Sequence, residues 1–286
     1  MTAETAPETG SIVAGSIAMG CIPPILLVGC GRMGSAMLSG WREQGLAPSF
    51  AVDPAASAGS FAGPDMTVVA DAGAIPDGFA PAAVVLAVKP QTAAAVLPAY
   101  ARFGAHAVFL SIMAGRTIAG IGALVGASAA IVRAMPNTPA AVRQGVTVAC
   151  SGFGVSAQHK ALCDRLLQAI GKVAWIDDEA LLDPVTAVSG SGPAYVFLLA
   201  ELMEQAAIEQ GIPPDLARLL ARQTVAGSGA LLAASPDDAA ALRVAVTSPN
   251  GTTAAALAVL MEPDAWPIAV SQAIASATRR SRELAG

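Results

Sequence analysis

Charge is scarce in this sequence: only 13% of residues are Asp, Glu, Lys or Arg, and the net charge is −5. Phosphate neutralisation needs clustered Lys and Arg, so a nucleic-acid partner is not expected. So few charges do little to keep copies of the chain apart, and a homo-oligomer is expected. The four cysteines are Cys21, Cys30, Cys150 and Cys163, with no CxxC pair and only His106 and His159 as other soft ligands. That argues against a structural zinc and a disulfide framework, so no metal is expected and the thiols read as reduced, cytoplasmic ones. Long apolar runs are missing too. The charge-free stretches 117–132 and 244–261 fall short of about 20 residues and carry Gly, Ser or Thr, while 9–31 is interrupted by Pro23 and Pro24. No membrane partner is expected. Residues 1–20 hold no Lys or Arg, which argues against a leader, and 1–21 reads as a disordered tail.

What is present is alternation. Short apolar runs at 25–29, 50–52, 66–69, 83–88, 107–112, 130–134 and 146–149 read as strands, with helical patterns between several of them, notably 33–44, 92–102 and 157–170. That order predicts an α/β domain over 22–177, a mostly parallel sheet with helices on both faces. From 178 to 286 no convincing strand follows. Helical stretches there are separated by 190–193, 211–214, 235–238, 248–251 and 262–264, which predicts an all-α second domain. The span 195–210 is apolar on most faces, as in a helix that is buried or packs against a partner.

Gly29-Cys30-Gly31-Arg32-Met33-Gly34 matches GxGxxG, between an apolar strand and a helix. In that context Gly29 allows the tight turn, Gly31 lets the backbone approach a diphosphate, and Gly34 lets the helix pack close to the strand. A dinucleotide site of Rossmann type is expected; the alternative is a glycine-rich turn kept for packing. Asp53 ends the second strand, 19 residues beyond Gly34, where a carboxylate accepts from an adenosine ribose. It would repel a 2′-phosphate, and no Lys or Arg lies between it and Lys89, so Asp53 favours NADH. Its bland reading is a turn residue before Pro54. Ala87-Val88-Lys89-Pro90 and the turn carrying Ala114 end later strands at the same sheet edge, where ligands bind in such sheets.

Several segments together resemble pyrroline-5-carboxylate reductases, over 25–284. They are the glycine motif, Ala87-Val88-Lys89-Pro90-Gln91, Ser111-Ile112-Met113-Ala114-Gly115, Arg133-Ala134-Met135-Pro136-Asn137-Thr138-Pro139-Ala140, Ser189-Gly190-Ser191-Gly192-Pro193-Ala194-Tyr195, and Val246-Thr247-Ser248-Pro249-Asn250-Gly251-Thr252-Thr253. The resemblance implies a Rossmann domain followed by an all-α dimerisation domain, NADPH as the usual hydride donor, and a cyclic imino acid as substrate. It implies that Ser248, Asn250, Gly251 and Thr252 hold the substrate carboxylate, and that the catalytic Thr253 lies by the imine nitrogen. It also places Glu179 close to cofactor and substrate. The chain departs from the pattern in three places. Asn250 stands where the family has a loop Gly, Ala72 stands where an Asn often touches the ribose, and Pro236 falls where some members carry a Glu.

The residue inventory fits that chemistry. Reduction of a ketone needs an acid, usually His or Tyr, for the developing alkoxide. Here His106, His159, Tyr100 and Tyr195 form no obvious dyad and read as structural. An imine can arrive protonated and relaxes the demand. The loop 248–251 feeds an Ala/Leu-rich helix, whose N-terminus offers N–H groups to an anion; the bland reading is an N-cap by Thr252 or Thr253. Alternatives are a reductase of a six-membered cyclic imino acid and a catalytically silent NAD(P)-binding regulator. A β-hydroxyacid-type dehydrogenase would want a catalytic Lys in the junction helix, and 179–286 contains no Lys.

Overall fold

The computed structural model describes residues 21–285. The tail expected over 1–21 lies outside them, Cys21 excepted. The sheet starts with β1 (Ile25–Val28), buried at all four positions, as suits a strand covered on both faces. Helix α1 (Arg32–Glu43) follows the glycine loop and buries Gly34, Met37, Leu38 and Trp41, one stripe at helical spacing. Trp41 is fully buried, and its indole N–H donates to the Leu166 carbonyl at 2.9 Å.

Strands β2 (Ser49–Val52), β3 (Met66–Val69), β4 (Ala83–Leu86), β5 (Val108–Ser111), β6 (Ile131–Met135) and β7 (Gly145–Ser151) fall on the runs read from sequence. With β8 (Gly171–Ile176) included, the order is β3-β2-β1-β4-β5-β6-β7-β8, parallel throughout except that β6 and β7 are antiparallel. The pleat divides the core. Ile25, Leu27, Val85 and Leu110 meet Trp41 on one face; Leu26, Val28, Val84 and Phe109 meet Tyr100 and Phe103 on the other.

Two elements differ from expectation. Strand β8 (Gly171–Ile176) is an eighth strand, paired parallel to β7 from Gly145↔Gly171 to Cys150↔Ile176. It lies at the sheet edge with alternating exposure, and its apolar run 173–176 follows directly on the helical pattern 157–170, with only Gly171 and Lys172 between. The helix expected at 92–102 is broken into a 3-10 turn Pro90–Thr92, the short α2 (Ala93–Val96) and a 3-10 run Leu97–Phe103. Pro98 has no N–H to continue an α-helical ladder. Helix α3 (Ile118–Val125) is capped by Thr117, and α4 (Ala157–Gln168) by a Ser156–His159 capping box, which gives His159 its structural part.

After Ile176 the described chain is helical: α5 (Leu182–Val185), a π-turn Thr186–Gly190, α6 (Gly192–Glu209), α7 (Pro214–Ala234), α8 (Ala239–Ala245), α9 (Thr252–Leu260) and α10 (Trp266–Ala285). The stretch Glu179–Glu209 is long and apolar enough to cross a membrane by composition. It lies open in the single chain: Phe197 is 67% exposed, with Val196, Leu198 and Leu202 beside it, and α6 has no buried residue. An apolar patch of this kind on one chain marks an interaction face, for another protein surface or a membrane.

Candidate active site

A cleft of about 620 Å³ opens at the C-terminal edge of β1, β2, β3 and β4. This is the edge at which open α/β sheets bind ligands, and the size suits a cofactor. The three motif glycines bordering it have different physical reasons. Gly29 has φ +98°, and a Cβ there would meet the Ala87 carbonyl oxygen at 2.8 Å. At Gly34 a Cβ would lie 2.3 Å from the Gly29 carbonyl oxygen, so only glycine lets α1 close on the loop. Gly31 has φ −63°, and a Cβ there would meet nothing within 4 Å. That space belongs to the cleft. Gly31 is also the N-cap of α1, with no side-chain cap and no acid in the first turn. The first N–H groups of α1 are thus left for an anion, and the residues fit a dinucleotide diphosphate.

Asp53 lines the cleft and holds the loop. Its Oδ2 accepts from the Cys30 N–H at 2.7 Å, and its Oδ1 from the Ala55 N–H at 2.9 Å. Cys30 is buried; burial, and then the charge of Asp53, push its thiol up to about 11. The thiol is therefore neutral beside the diphosphate position. A second carboxylate, Asp71, lines the same side after β3 and accepts from the Gly73 N–H at 2.8 Å. Tyr100 forms part of the wall and is 2% exposed. Burial, then the charge of Asp71, raise its phenol to about 12. Lys89 is the one cation among the lining residues, on the β4 side.

Gly29, Gly31, Asp53, Ala87, Val88 and Lys89 of the expected cofactor residues line this cleft. Cys30, Arg32, Met33 and Gly34 form the loop and first turn of α1 behind it. Pro90 opens the 3-10 turn after Lys89, and Ala114 lies exposed in the turn after β5. Asp71, Thr92 and Tyr100 were not read from sequence as lining residues; Ala72 lines the cleft too.

The segment 248–253 lies elsewhere, in the helical part and outside the cleft lining, with Ser248, Pro249, Asn250 and Thr252 exposed and Gly251 and Thr253 half-buried. The Gly251 N–H donates to the Ser248 carbonyl at 3.1 Å, closing a turn with Pro249 second and Asn250, φ +60°, third. That pattern is of type II, which needs a residue tolerant of positive φ at the third position. Gly251 is the N-cap of α9 and provides no side-chain cap. Among the described residues no side chain, Thr252 and Thr253 included, is bonded to the first N–H groups of the helix.

The two parts of the chain meet at Glu179. Its Oε1 accepts from Arg133 Nη1 at 2.8 Å and from the Ile118 N–H at 2.8 Å. Arg133 is 5% exposed, so the pair neutralises a nearly buried guanidinium at the start of α3. Close by, Gly190 packs on Met135, where a Cβ would come within 2.7 Å of the Met135 Cε. Ser281 of α10 donates to Asp183 Oδ1 at 2.6 Å.

Known proteins combine both halves. A family model described as pyrroline-5-carboxylate reductase dimerisation matches residues 179–284, and one described as NADP oxidoreductase, coenzyme F420-dependent, matches 24–115. A pyrroline-5-carboxylate reductase of Pseudomonas aeruginosa is 40% identical over 271 residues, covering 92% of this chain and 97% of the relative. The chain belongs to the pyrroline-5-carboxylate reductase family. Among solved reductases, that of Coxiella burnetii superposes with a TM-score of 0.84 at 30% identity, over 93% of this chain and 99% of its own. The Plasmodium falciparum pyrroline carboxylate reductase, solved with NADP bound, has a TM-score of 0.77 at 27% identity, over 92% of this chain and all of its own. The family's two-part plan is thus present from β1 to α10, and its dimerisation part coincides with the exposed apolar helices.

Proposed function

We propose that this chain reduces the C=N bond of 1-pyrroline-5-carboxylate to give L-proline, with NAD(P)H as donor. One observation carries the reading in this chain. A cleft with open space at Gly31 occurs together with an uncapped helix N-terminus at 251–253, each suited to an anion. A bound nicotinamide supplies the hydride. The loop 29–34 and the first turn of α1 hold the diphosphate. Asp53 accepts from the adenosine ribose, and Asp71 adds negative charge on the same side. Two carboxylates against one lysine disfavour a 2′-phosphate, so NADH is the preferred donor, although the Plasmodium falciparum enzyme holds NADP.

Ser248, Asn250, Gly251 and Thr252 cradle the imino acid carboxylate with backbone N–H groups. The Thr253 hydroxyl lies at the ring nitrogen, where it orients a protonated imine or relays its proton. No strong acid is required, because the nitrogen is basic enough to arrive charged. Glu179 fixes the junction near this site through Arg133 and Ile118. Assembly of the helical parts brings the 248–253 loop to a cofactor cleft. Work in the cytoplasm belongs to the same proposal, and the four free thiols suit a reducing compartment.

Thr253→Val tests the assignment, since it keeps the branched shape and removes only the hydroxyl. We expect kcat/KM to fall roughly tenfold to a thousandfold, as for one positioned polar contact in a transition state. Cofactor Kd should barely change. Wild-type kinetics in this variant would remove Thr253 from the mechanism.

A further inference from the structure

The turn between β5 and α3 is tied down from several directions. Arg116 donates twice to one acceptor, the Pro90 carbonyl: Nε at 3.1 Å and Nη2 at 2.9 Å. That carbonyl also accepts from the Ala93 N–H, while the Thr92 hydroxyl closes on the Lys89 carbonyl at 2.9 Å. The Lys89–Thr92 turn is therefore held from within by its own hydrogen bonds and from outside by Arg116. On its other side the β5–α3 turn is held by the helical part. The Ile118 N–H donates to Glu179, and Leu284 of α10 lies against Gly115, where a Cβ would stand 3.0 Å from the Leu284 carbonyl oxygen.

Topology says which half of the cleft this concerns. Strands β2 and β3 lie on one side of β1, and β4 and β5 on the other. A dinucleotide bound with its diphosphate at β1 and its adenosine at Asp53 places its nicotinamide half over the turns after β4 and β5. We propose that Arg116 is a positioning residue for that half. It passes the placement of the β5–α3 turn, set by Glu179 and Leu284, to the Pro90 carbonyl and so to the Lys89 turn in the cleft. The inference deepens the dinucleotide reading of the cleft and rests on it. A guanidinium suits the task because its fixed fork sends two N–H groups to one carbonyl, which a lysine ammonium does with a less rigid single point.

The test compares Arg116→Met, which keeps length and removes both donors, with Arg116→Lys, which keeps the charge. Affinities for NADH and for ADP-ribose are measured by fluorescence and calorimetric titration of the full-length protein, with thermal midpoints alongside. ADP-ribose occupies the adenosine and diphosphate positions and lacks the nicotinamide. Arg116→Met should weaken NADH about tenfold, the scale of losing charge-assisted hydrogen bonds, with ADP-ribose affinity kept within about twofold. Arg116→Lys should restore part of the NADH affinity. Unchanged NADH affinity in Arg116→Met overturns the proposal, and so does an equal loss for both ligands, which marks a general effect on folding. Should Arg116→Met not fold, Arg116→Lys decides alone: a selective, smaller loss for NADH supports the proposal and none overturns it. A wild-type protein that binds neither ligand overturns the dinucleotide reading itself, and this inference with it.

Discussion

At the scale of residues, three glycines five positions apart at most do three jobs, and their substitutions should differ accordingly. Gly31→Val puts a side chain into empty cleft space at an ordinary φ, so the protein should fold and lose dinucleotide binding. Fluorescence titration together with circular dichroism checks both halves of that statement; unchanged affinity would refute it. Gly34 is the contrast, because even one methyl there meets backbone at 2.3 Å. Asp53 combines two tasks, holding the Cys30 and Ala55 N–H groups and presenting charge to the ribose. Asp53→Ser should narrow or reverse a preference for NADH. A wild-type preference for NADPH of roughly tenfold, about 1.4 kcal/mol, would refute the charge argument.

At the scale of elements, the 248–251 turn shows how one departure from a family pattern is accommodated. Asn250 takes φ +60°, a left-handed conformation that Asn tolerates better than other side chains. Asn250→Gly should therefore leave kinetics nearly unchanged. Asn250→Val, branched at Cβ, should distort the turn and raise the imino acid KM; steady-state kinetics on the pair separates conformation from chemistry. The same scale shows what could be read in advance. Strands β1 to β7 were legible because each is an apolar run between turn signals, and GxGxxG was legible because its spacing is itself the chemistry. Strand β8 was not, although it holds the short apolar run 173–176: that run follows directly on the helical pattern 157–170, with only Gly171 and Lys172 between, and its exposure alternates at the sheet edge. The break after Pro90 needed Pro98 to be weighed above the helical pattern around it. Asp71 and Tyr100 line the cleft, and Arg116 reaches the Pro90 carbonyl, through placements that only the tertiary fold makes, and no local pattern announces that. The turn at 248–251 was legible as a turn, whereas the absence of a side-chain cap on α9 appeared only in the fold.

At the scale of the whole molecule, scarcity of charge and exposure of Phe197, Val196, Leu198 and Leu202 have one physical reading. A single copy leaves too much apolar surface in water, and the helices after Glu179, matched by a dimerisation family, are where it is covered. Sedimentation velocity at micromolar concentration should show a dimer or a larger assembly, and a stable monomer would contradict this. What the chain is proposed to do, however, is a reaction. The most direct measurement is oxidation of NADH and of NADPH by the purified protein, with 1-pyrroline-5-carboxylate and, separately, its six-membered homologue. Substrate-dependent oxidation with proline as product, faster with NADH, is the predicted result. No turnover of either imine, or turnover of the six-membered ring alone, would contradict it.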